Sequence, residues 1–165
     1  MISYSQIYIA MAEVLAVVGV VASIVGLVEF GFKVVDRINE FQSNCGEIPE
    51  SFKHVKADLP ILLGTINETK LAVEKGSIKE GMREDLLLPV SLCQAQLRLL
   101  DDLIGKSLPQ ESDSWRKKTS KAISSLRRDA KVTKIIATIR KHIDDMTKYR
   151  LSASSALQTA NGMTV

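Results

Sequence analysis

The hydrophobic pattern of the first third of the chain changes at Glu29. Between Glu13 and Glu29 the run VLAVVGVVASIVGLV holds fifteen residues and no charge. After Glu29, apolar residues recur at helical spacing among charged ones, at Phe30, Val34, Ile38 and Phe41. The pattern predicts one long or broken helix over residues 7–44, apolar nearly all round in its first half and amphipathic in its second.

Two further helices are predicted in the middle of the chain. One runs from about Pro49 to Glu74, and its interior Pro60 predicts a kink or a split. The next covers residues 77–104, with a bend at its own interior proline, Pro89. Ser77 and Glu80 have the spacing of a capping box at its start. Core candidates in these two helices are Phe52, Val55, Leu59, Leu62, Leu63, Ile66, Val73, Leu86, Leu87, Val90, Leu92, Leu97, Leu100, Leu103 and Ile104.

The last helical region is predicted from Trp115 to about Ser155, with a break near Arg128-Asp129. Its apolar residues follow a 4-3-4-3 spacing that is typical of a seam packed against neighbouring helices, at Val132, Ile136, Ile139, Ile143 and Met146. No run alternates as a strand does. The sequence therefore predicts an all-α fold, an antiparallel bundle of four to five helices with a hydrophobic N-terminal helix.

The charge is distributed unevenly along the chain. The net charge is +3, but residues 111–165 hold twelve Lys and Arg against five Asp and Glu, a net +7. Such a surface is expected to attract anionic lipid, nucleic acid or an acidic partner, or it is simply the solvated face of a helix. The basic residues of interest are Arg116, Lys117, Lys118, Lys121, Arg127, Arg128, Lys131 and Lys134.

The sequence offers little chemistry for catalysis. His54 and His142 have no second ligand at metal-binding spacing, so neither a metal nor a cofactor is expected. Gly105-Lys106-Ser107 lacks the earlier glycine of a P-loop, and we expect no enzyme activity. Two isolated cysteines favour a reducing compartment. Nucleic acid is not expected as a partner, because Trp115 is the only aromatic residue beside the basic run.

The apolar run between Glu13 and Glu29 allows several interpretations. A secretory signal needs a basic start, yet the first basic residue is Lys33. A membrane span needs about twenty apolar residues, whereas fifteen cover roughly 22 Å. A core helix covered on all sides is the ordinary alternative. Small residues four apart, such as Gly19 and Ser23, favour close helix packing in either setting.

Several stretches together resemble a known family. MAEVLAVVGVVASIVGLVEFGFKVVDRINEFQ, GEIPESFKHVKADLPILLGTI and DSWRKKTSKAISSLRRDAKVTKIIATI are similar, in this order, to the N-terminal domain of fungal NACHT and other STAND-type P-loop NTPases, related to HeLo-like and SesA-like domains. The resemblance implies an effector bundle over residues 11–155. It also implies that residues 1–10 are an N-terminal extension, while the small, polar residues 156–165 predict a flexible tail.

The resemblance also implies a function. Related domains act in programmed cell death and heterokaryon incompatibility by oligomerising and inserting an N-terminal helix into membranes, in a pore-forming manner. The inserting residues would be Met11, Glu13, Val14, Leu15, Val17, Val18, Gly19, Val21, Ala22, Ile24, Val25, Gly26, Leu27 and Val28. The expected partners are anionic membrane lipids, further copies of the chain, and a NACHT or other nucleotide-binding module in cis or in trans. The expected location is the cytoplasm at rest and the plasma membrane when active.

Two other functions stay open on the residues alone. A soluble adaptor or oligomerisation module would keep the apolar helix buried and signal through protein contacts. A nucleic-acid-binding bundle would show an affinity that falls steeply with salt.

Overall fold

A computed structural model describes residues 4–45, 47–78, 80–107 and 125–161. In these ranges the chain forms four long helices and one short helix, and no strand: α1 Tyr4–Cys45, α2 Glu50–Glu74, α3 Glu80–Asp85, α4 Leu87–Ser107 and α5 Ser125–Asn161. The predicted all-α bundle with a hydrophobic N-terminal helix is confirmed. Helix α1 is continuous, and it includes residues 4–10 of the predicted extension.

Consecutive long helices run antiparallel. Along α1 and α2, Lys56 bonds to Gln42 near one end, and Leu63 meets Gly31 further along, so the residue numbers rise in opposite directions. Between α4 and α5 the buried Cys93 thiol donates to the carbonyl of Ile139, 3.9 Å away. Helices α1 and α5 each contact both α2 and α4, so the four long helices form a ring.

The other two neighbouring pairs in this ring run parallel. On α2 and α5, Asp58 pairs with Arg140 and Glu68 with Arg150, with the same offset of 82 residues in both pairs. On α1 and α4, Arg37 pairs with Asp101 at 2.6 Å. We call the end where α2 finishes and α4 begins the basal end, and the end where α1 leads to α2 the distal end.

The connection after α2 differs from the predicted capping box. Gly76 has φ +69, and its amide donates to the Val73 carbonyl while the Ser77 amide donates to Ala72. This is the Schellman arrangement, which needs a residue that tolerates positive φ. Ser77 therefore belongs to the end of α2, and the predicted cap is wrong because α3 begins only at Glu80.

The two interior prolines have different effects. Pro60 was predicted to kink or to split its helix, and it lies inside an unbroken α2, so the split does not occur. The helix predicted over residues 77–104 is instead divided at Leu86 into α3 and α4. Pro89 is thus in the first turn of α4, where a missing N–H costs no intrahelical bond. The break predicted near Arg128-Asp129 is wrong as well, since α5 is continuous through it.

The core lies along the centre of the ring. Most predicted core residues of α2, α4 and α5 are buried, but Leu87 and Leu92 are exposed. Leu86 and Leu87 are adjacent on a helical path and cannot both face one core. The largest fully buried side chains are Phe52, Ile24, Leu27, Ile38, Leu59, Leu63, Ile66, Ile78, Leu86, Leu97, Leu100 and Ile104.

Candidate functional surface on the N-terminal helix

Helix α1 has one buried face and one open face. The buried face follows the 3-4 spacing of a packed helix, through Val20, Ile24, Leu27, Val34 and Ile38. The opposite face carries Val14, Leu15, Val18 and Val25, of which the first three are 58–69% exposed. The alternative of a core helix covered on all sides therefore does not hold along the face of Val14, Leu15, Val18 and Val25.

The start of α1 extends past the end of α2. Because Gly31 lies against Leu63 and the helices are antiparallel, Glu74 at the end of α2 is level with Val20. Residues 4–19 of α1 therefore continue for about 24 Å beyond α2, at 1.5 Å per residue. This register explains why Val20 is the first fully buried residue of α1 among those whose side chains are described.

The apolar run satisfies its own polar groups. Its single hydroxyl, on Ser23, donates to the carbonyl of Gly19 at 2.8 Å, and the backbone amides and carbonyls are bonded within α1. A helix with internal hydrogen bonds and no unmet polar side chain can enter an apolar environment without leaving groups unsatisfied.

The glycines of α1 have different surroundings. A Cβ atom on Gly31 would lie 2.5 Å from Leu63, so Gly31 permits close packing of α1 on α2. A Cβ atom on Gly19 or Gly26 would meet nothing within 4 Å. Close packing on a glycine therefore occurs at Gly31, which is not one of the small residues four apart, whereas Gly19 and Gly26 pack closely against no described part of the chain.

Length and composition mark one membrane-span candidate among the described helices, Val17–Ser43. Its most apolar 18 residues have a mean hydropathy of 2.0, and 28% of these residues are buried within the bundle. A core helix of a soluble protein has the same composition, so these criteria alone do not separate the two. The exposed apolar face is the feature that distinguishes α1 from a fully covered core helix.

The described part of the predicted basic surface, Lys131 and Lys134, lies away from the open apolar face. Lys131 and Lys134 are exposed on α5 near the distal end, where Asp129 bonds to Ser51. The parallel register of α2 and α5 puts them about 30–35 Å along the bundle from Val18. Arg116, Lys117, Lys118 and Lys121 lie outside the described residues, as do the side chains of Met11, Glu13, Arg127 and Arg128.

Sequence reasoning missed part of the apolar surface at the basal end. Leu71, Leu87, Leu88 and Leu151 are 40–65% exposed, near the level at which α1 leaves α2. Ser23 of α1 lines a cavity with Leu87 and Leu88, so this surface adjoins the open face of α1. The adjacent residues Leu87 and Leu88 could have indicated this surface from the sequence. Neighbours on a helix point in different directions, so both cannot face one core.

The described residues hold no group suited to metal chemistry. No three His, Cys, Asp or Glu side chains within the described ranges are close enough to share a metal ion. Burial raises the pKa of Cys93 to about 12, which keeps the thiol protonated and unreactive.

Comparison with known families identifies a match that covers most of the chain. The family model of SesA, described as the N-terminal domain on NACHT NTPases and P-loop NTPases, matches residues 21–146. The match begins after the exposed start of α1 and covers the bundle up to the basal half of α5. Searches of curated proteins and of solved structures each found no match.

Proposed function

The chain belongs to the SesA family of N-terminal domains, and we propose that it is a membrane-targeting effector domain that triggers cell death. Family membership supports the broader role of a signalling domain that works with a NACHT or P-loop NTPase module. In the proposal the module acts in cis or in trans to gather copies of the domain, as in a fungal NLR-like incompatibility receptor. The gathered copies then insert the start of α1 into a membrane.

The observation that carries the proposal is the open apolar face of α1. Leu15 and Val18 are more than half exposed on a helix segment that extends past α2. Burial of such side chains in lipid stabilises the bound state by about 1.5–3 kcal/mol each if complete. Lipid is a suitable environment because the run from Val14 to Val28 has no unmet polar side chain.

Complete insertion requires a further step. Residues 4–19 alone reach about 24 Å, whereas a hydrocarbon core is about 30 Å thick. A full span extending to Val28 would move Val20, Ile24 and Leu27 from the bundle into lipid. These side chains stay in apolar surroundings, so the main cost is the lost packing in the core. Glu13 lies about 22 Å from Val28 and would enter the hydrocarbon region, where a charge costs at most about 2.5–3.5 kcal/mol, the value at the membrane centre.

The basic surface restricts how the bundle meets the membrane. If α1 stood upright with its start in the bilayer, Lys131 and Lys134 would be about 30 Å from the headgroups. Screening limits attraction between exposed charges to about 8–10 Å at physiological salt. Anionic headgroups can therefore bind Lys131 and Lys134 only if the bundle lies along the membrane surface. We propose that this is the arrangement of first contact, before insertion.

Dye release from liposomes tests the membrane role. The full chain is expected to release dye from anionic vesicles, and a chain lacking residues 1–19 should release little. Deletion of residues 1–25 is a poorer test because it also removes the fully buried Val20 and Ile24. Leu15→Glu should reduce release in the intact chain. Ile61→Glu is the matched control, because Ile61 is 71% exposed on α2 and lies away from the basal end.

Equal dye release by the full chain and by the chain lacking residues 1–19 would contradict the inserting role. Fractionation of cells expressing both chains tests the proposed location, cytoplasmic at rest and at the plasma membrane when active. The full chain should move to the membrane fraction when a fused domain forces it to oligomerise, and the shortened chain should stay soluble.

A soluble adaptor is the second candidate. The observation that favours it is the regular spacing of the exposed residues on α1, which suits a helix of a partner protein as well as lipid. An adaptor would still depend on Leu15 in a signalling assay, but it would release no dye from vesicles.

A further inference from the structure

The open face of α1 carries a second seam with heptad spacing. Its positions alternate three and four residues apart, the arrangement of core positions in a coiled coil. All of them are exposed, and Glu29 is the charged member. The positions are Leu15, Val18, Ala22, Val25, Glu29 and Phe32. We call this set the outer seam.

The outer seam continues in the sequence toward the N-terminus. Met11, Tyr8 and Tyr4 extend the same alternation of three and four residues, and α1 is helical from Tyr4 onward. From Tyr4 to Phe32 the spacing is kept without interruption over about 42 Å of helix. This spacing allows a second helix to pack along the whole face.

The residues flanking the outer seam complement one another. Val14 and Val21 lie on one side, and Gly19 and Gly26 lie on the other. In a parallel pair of helices, each flank faces the opposite flank of the partner, so valine would lie over glycine. In an antiparallel pair, valine would face valine and glycine would face glycine. The open space around Gly19 and Gly26 accepts the valine side chains in the parallel pair.

We infer that a second copy of this chain docks on the outer seam, with the two α1 helices parallel and in register. The contact is two-fold symmetric, since the same residues contribute from both copies. Because the outer seam is opposite the buried face of α1, the two bundles lie on opposite sides of the pair. The inferred dimer specifies how two copies associate in the proposed function. Only its biological purpose rests on that function.

The exposed area approaches that of a contact between two chains. The large side chains of this face are between 37% and 69% exposed: Val14, Leu15, Val18, Val25 and Phe32. At roughly 150–250 Å² for an aromatic side chain, and less for valine and leucine, they offer at most roughly 400–600 Å² per copy. Two copies then offer at most roughly 800–1,200 Å², which reaches the lower end of the range for a specific interface.

Sedimentation of the full chain in buffer without lipid tests the inference. The wild type is expected to pass from monomer to dimer as its concentration rises. In the parallel, in-register pair Glu29 already faces the Glu29 of the other copy. Val18→Glu and Val18→Lys should each weaken the dimer by about tenfold or more, because they add a second layer of facing like charges within the apolar part of the seam. An equal mixture of the two variants should dimerise again, since parallel, in-register helices place Glu opposite Lys.

The controls separate this contact from other causes. Ile61→Glu should dimerise as the wild type does, and thermal melts should show that both Val18 variants remain folded. Three results would overturn the inference: a wild type that stays monomeric, a Val18→Glu variant that dimerises normally, or a mixture that stays monomeric. A wild type that is monomeric in buffer yet releases dye from vesicles would assign the surface to lipid and leave the proposed function standing. A wild type that dimerises but releases no dye would support the dimer contact and contradict the proposed membrane function.

Discussion

Gly31 of α1 packs against Leu63 of α2 so closely that a Cβ atom on the glycine would lie 2.5 Å from Cδ2 of the leucine. Two other atoms of the same side chain, Cδ1 and Cγ, would lie at 2.8 and 3.1 Å. Leu63 is almost fully buried, so it has little room to move. This contact sets the register of the two helices and thereby determines where α1 leaves the bundle.

Replacing Gly31 by alanine should destabilise the protein. The added methyl group overlaps a buried side chain, and overpacking costs about 1–3 kcal/mol. The gain in helix propensity, about 1 kcal/mol, offsets only part of this cost. We expect the free energy of unfolding to fall by about 1 kcal/mol, as measured by urea denaturation.

Gly64→Ala on α2 provides the matched control for Gly31→Ala. A Cβ atom on Gly64 would meet nothing within 4 Å, so this change should raise stability by up to about 1 kcal/mol. In a double-mutant cycle, Leu63→Ala should cost less in the Gly31→Ala background than in the wild type. Additive effects would contradict a direct clash between the two residues.

The two faces of α1 should respond differently to a charge. Ile24 is fully buried, and Ile24→Asp is expected to lower stability by more than about 4 kcal/mol or to unfold the domain. Val18 is 58% exposed, and Val18→Asp should change stability by less than about 1 kcal/mol. Thermal melts followed by circular dichroism would measure both changes in stability, at a concentration where the protein is monomeric. Unfolding by Val18→Asp would show that the open face is covered in solution.

Cross-linking can test the parallel arrangement of α2 and α5. Cysteines in place of Asp58 and Arg140, whose side chains pair at 2.6 Å, should be joined by a short bismaleimide. The pair of Glu68 and Arg150 should also be joined. Cysteines at residues 58 and 150 should not, because ten residues of helix separate them by about 15 Å along the axis. Efficient cross-linking of the 58/150 pair would contradict the register.

Cys93 should be unreactive in the folded protein. Burial raises its pKa to about 12, whereas an unfolded thiol ionises near pH 9. In a Cys45→Ser variant, which leaves Cys93 as the single thiol, a thiol reagent at about pH 8 should react only at the rate of unfolding. Since the folded thiol holds its proton above pH 9 and the unfolded one loses it, this group should also reduce stability as pH rises from 9 toward 12. Rapid labelling without denaturant would contradict the burial.

Helical periodicity predicted the elements well and their ends less well. The seam of Val132, Ile136, Ile139, Ile143 and Met146 is buried as its spacing indicates, because a helix shows one face to its neighbours. The division of α3 from α4 at Leu86 was missed, since a proline fits either a bend or a first turn. The local sequence does not distinguish these until the path of the chain is known.

The candidate site was predicted in composition but not in arrangement. The run from Val14 to Val28 was identified as the unusual segment, and it contains both Val18 on the open face and Ile24 in the core. Uniform hydrophobicity carries no information on which side is covered. The separation of Lys131 from Val18 likewise depends on the direction of α5, which the sequence does not state.

The sequence by itself determined an all-α fold, because periodic apolar residues and the absence of alternating runs favour helices that must bury one face against each other. It also determined that the first half of α1 is apolar nearly all round. The tertiary structure decided that α2 stops level with Val20, through the Gly31–Leu63 contact and the turn at Gly76. How much of an apolar helix remains open depends on the lengths and register of its neighbours, and these are relations between segments far apart in the chain.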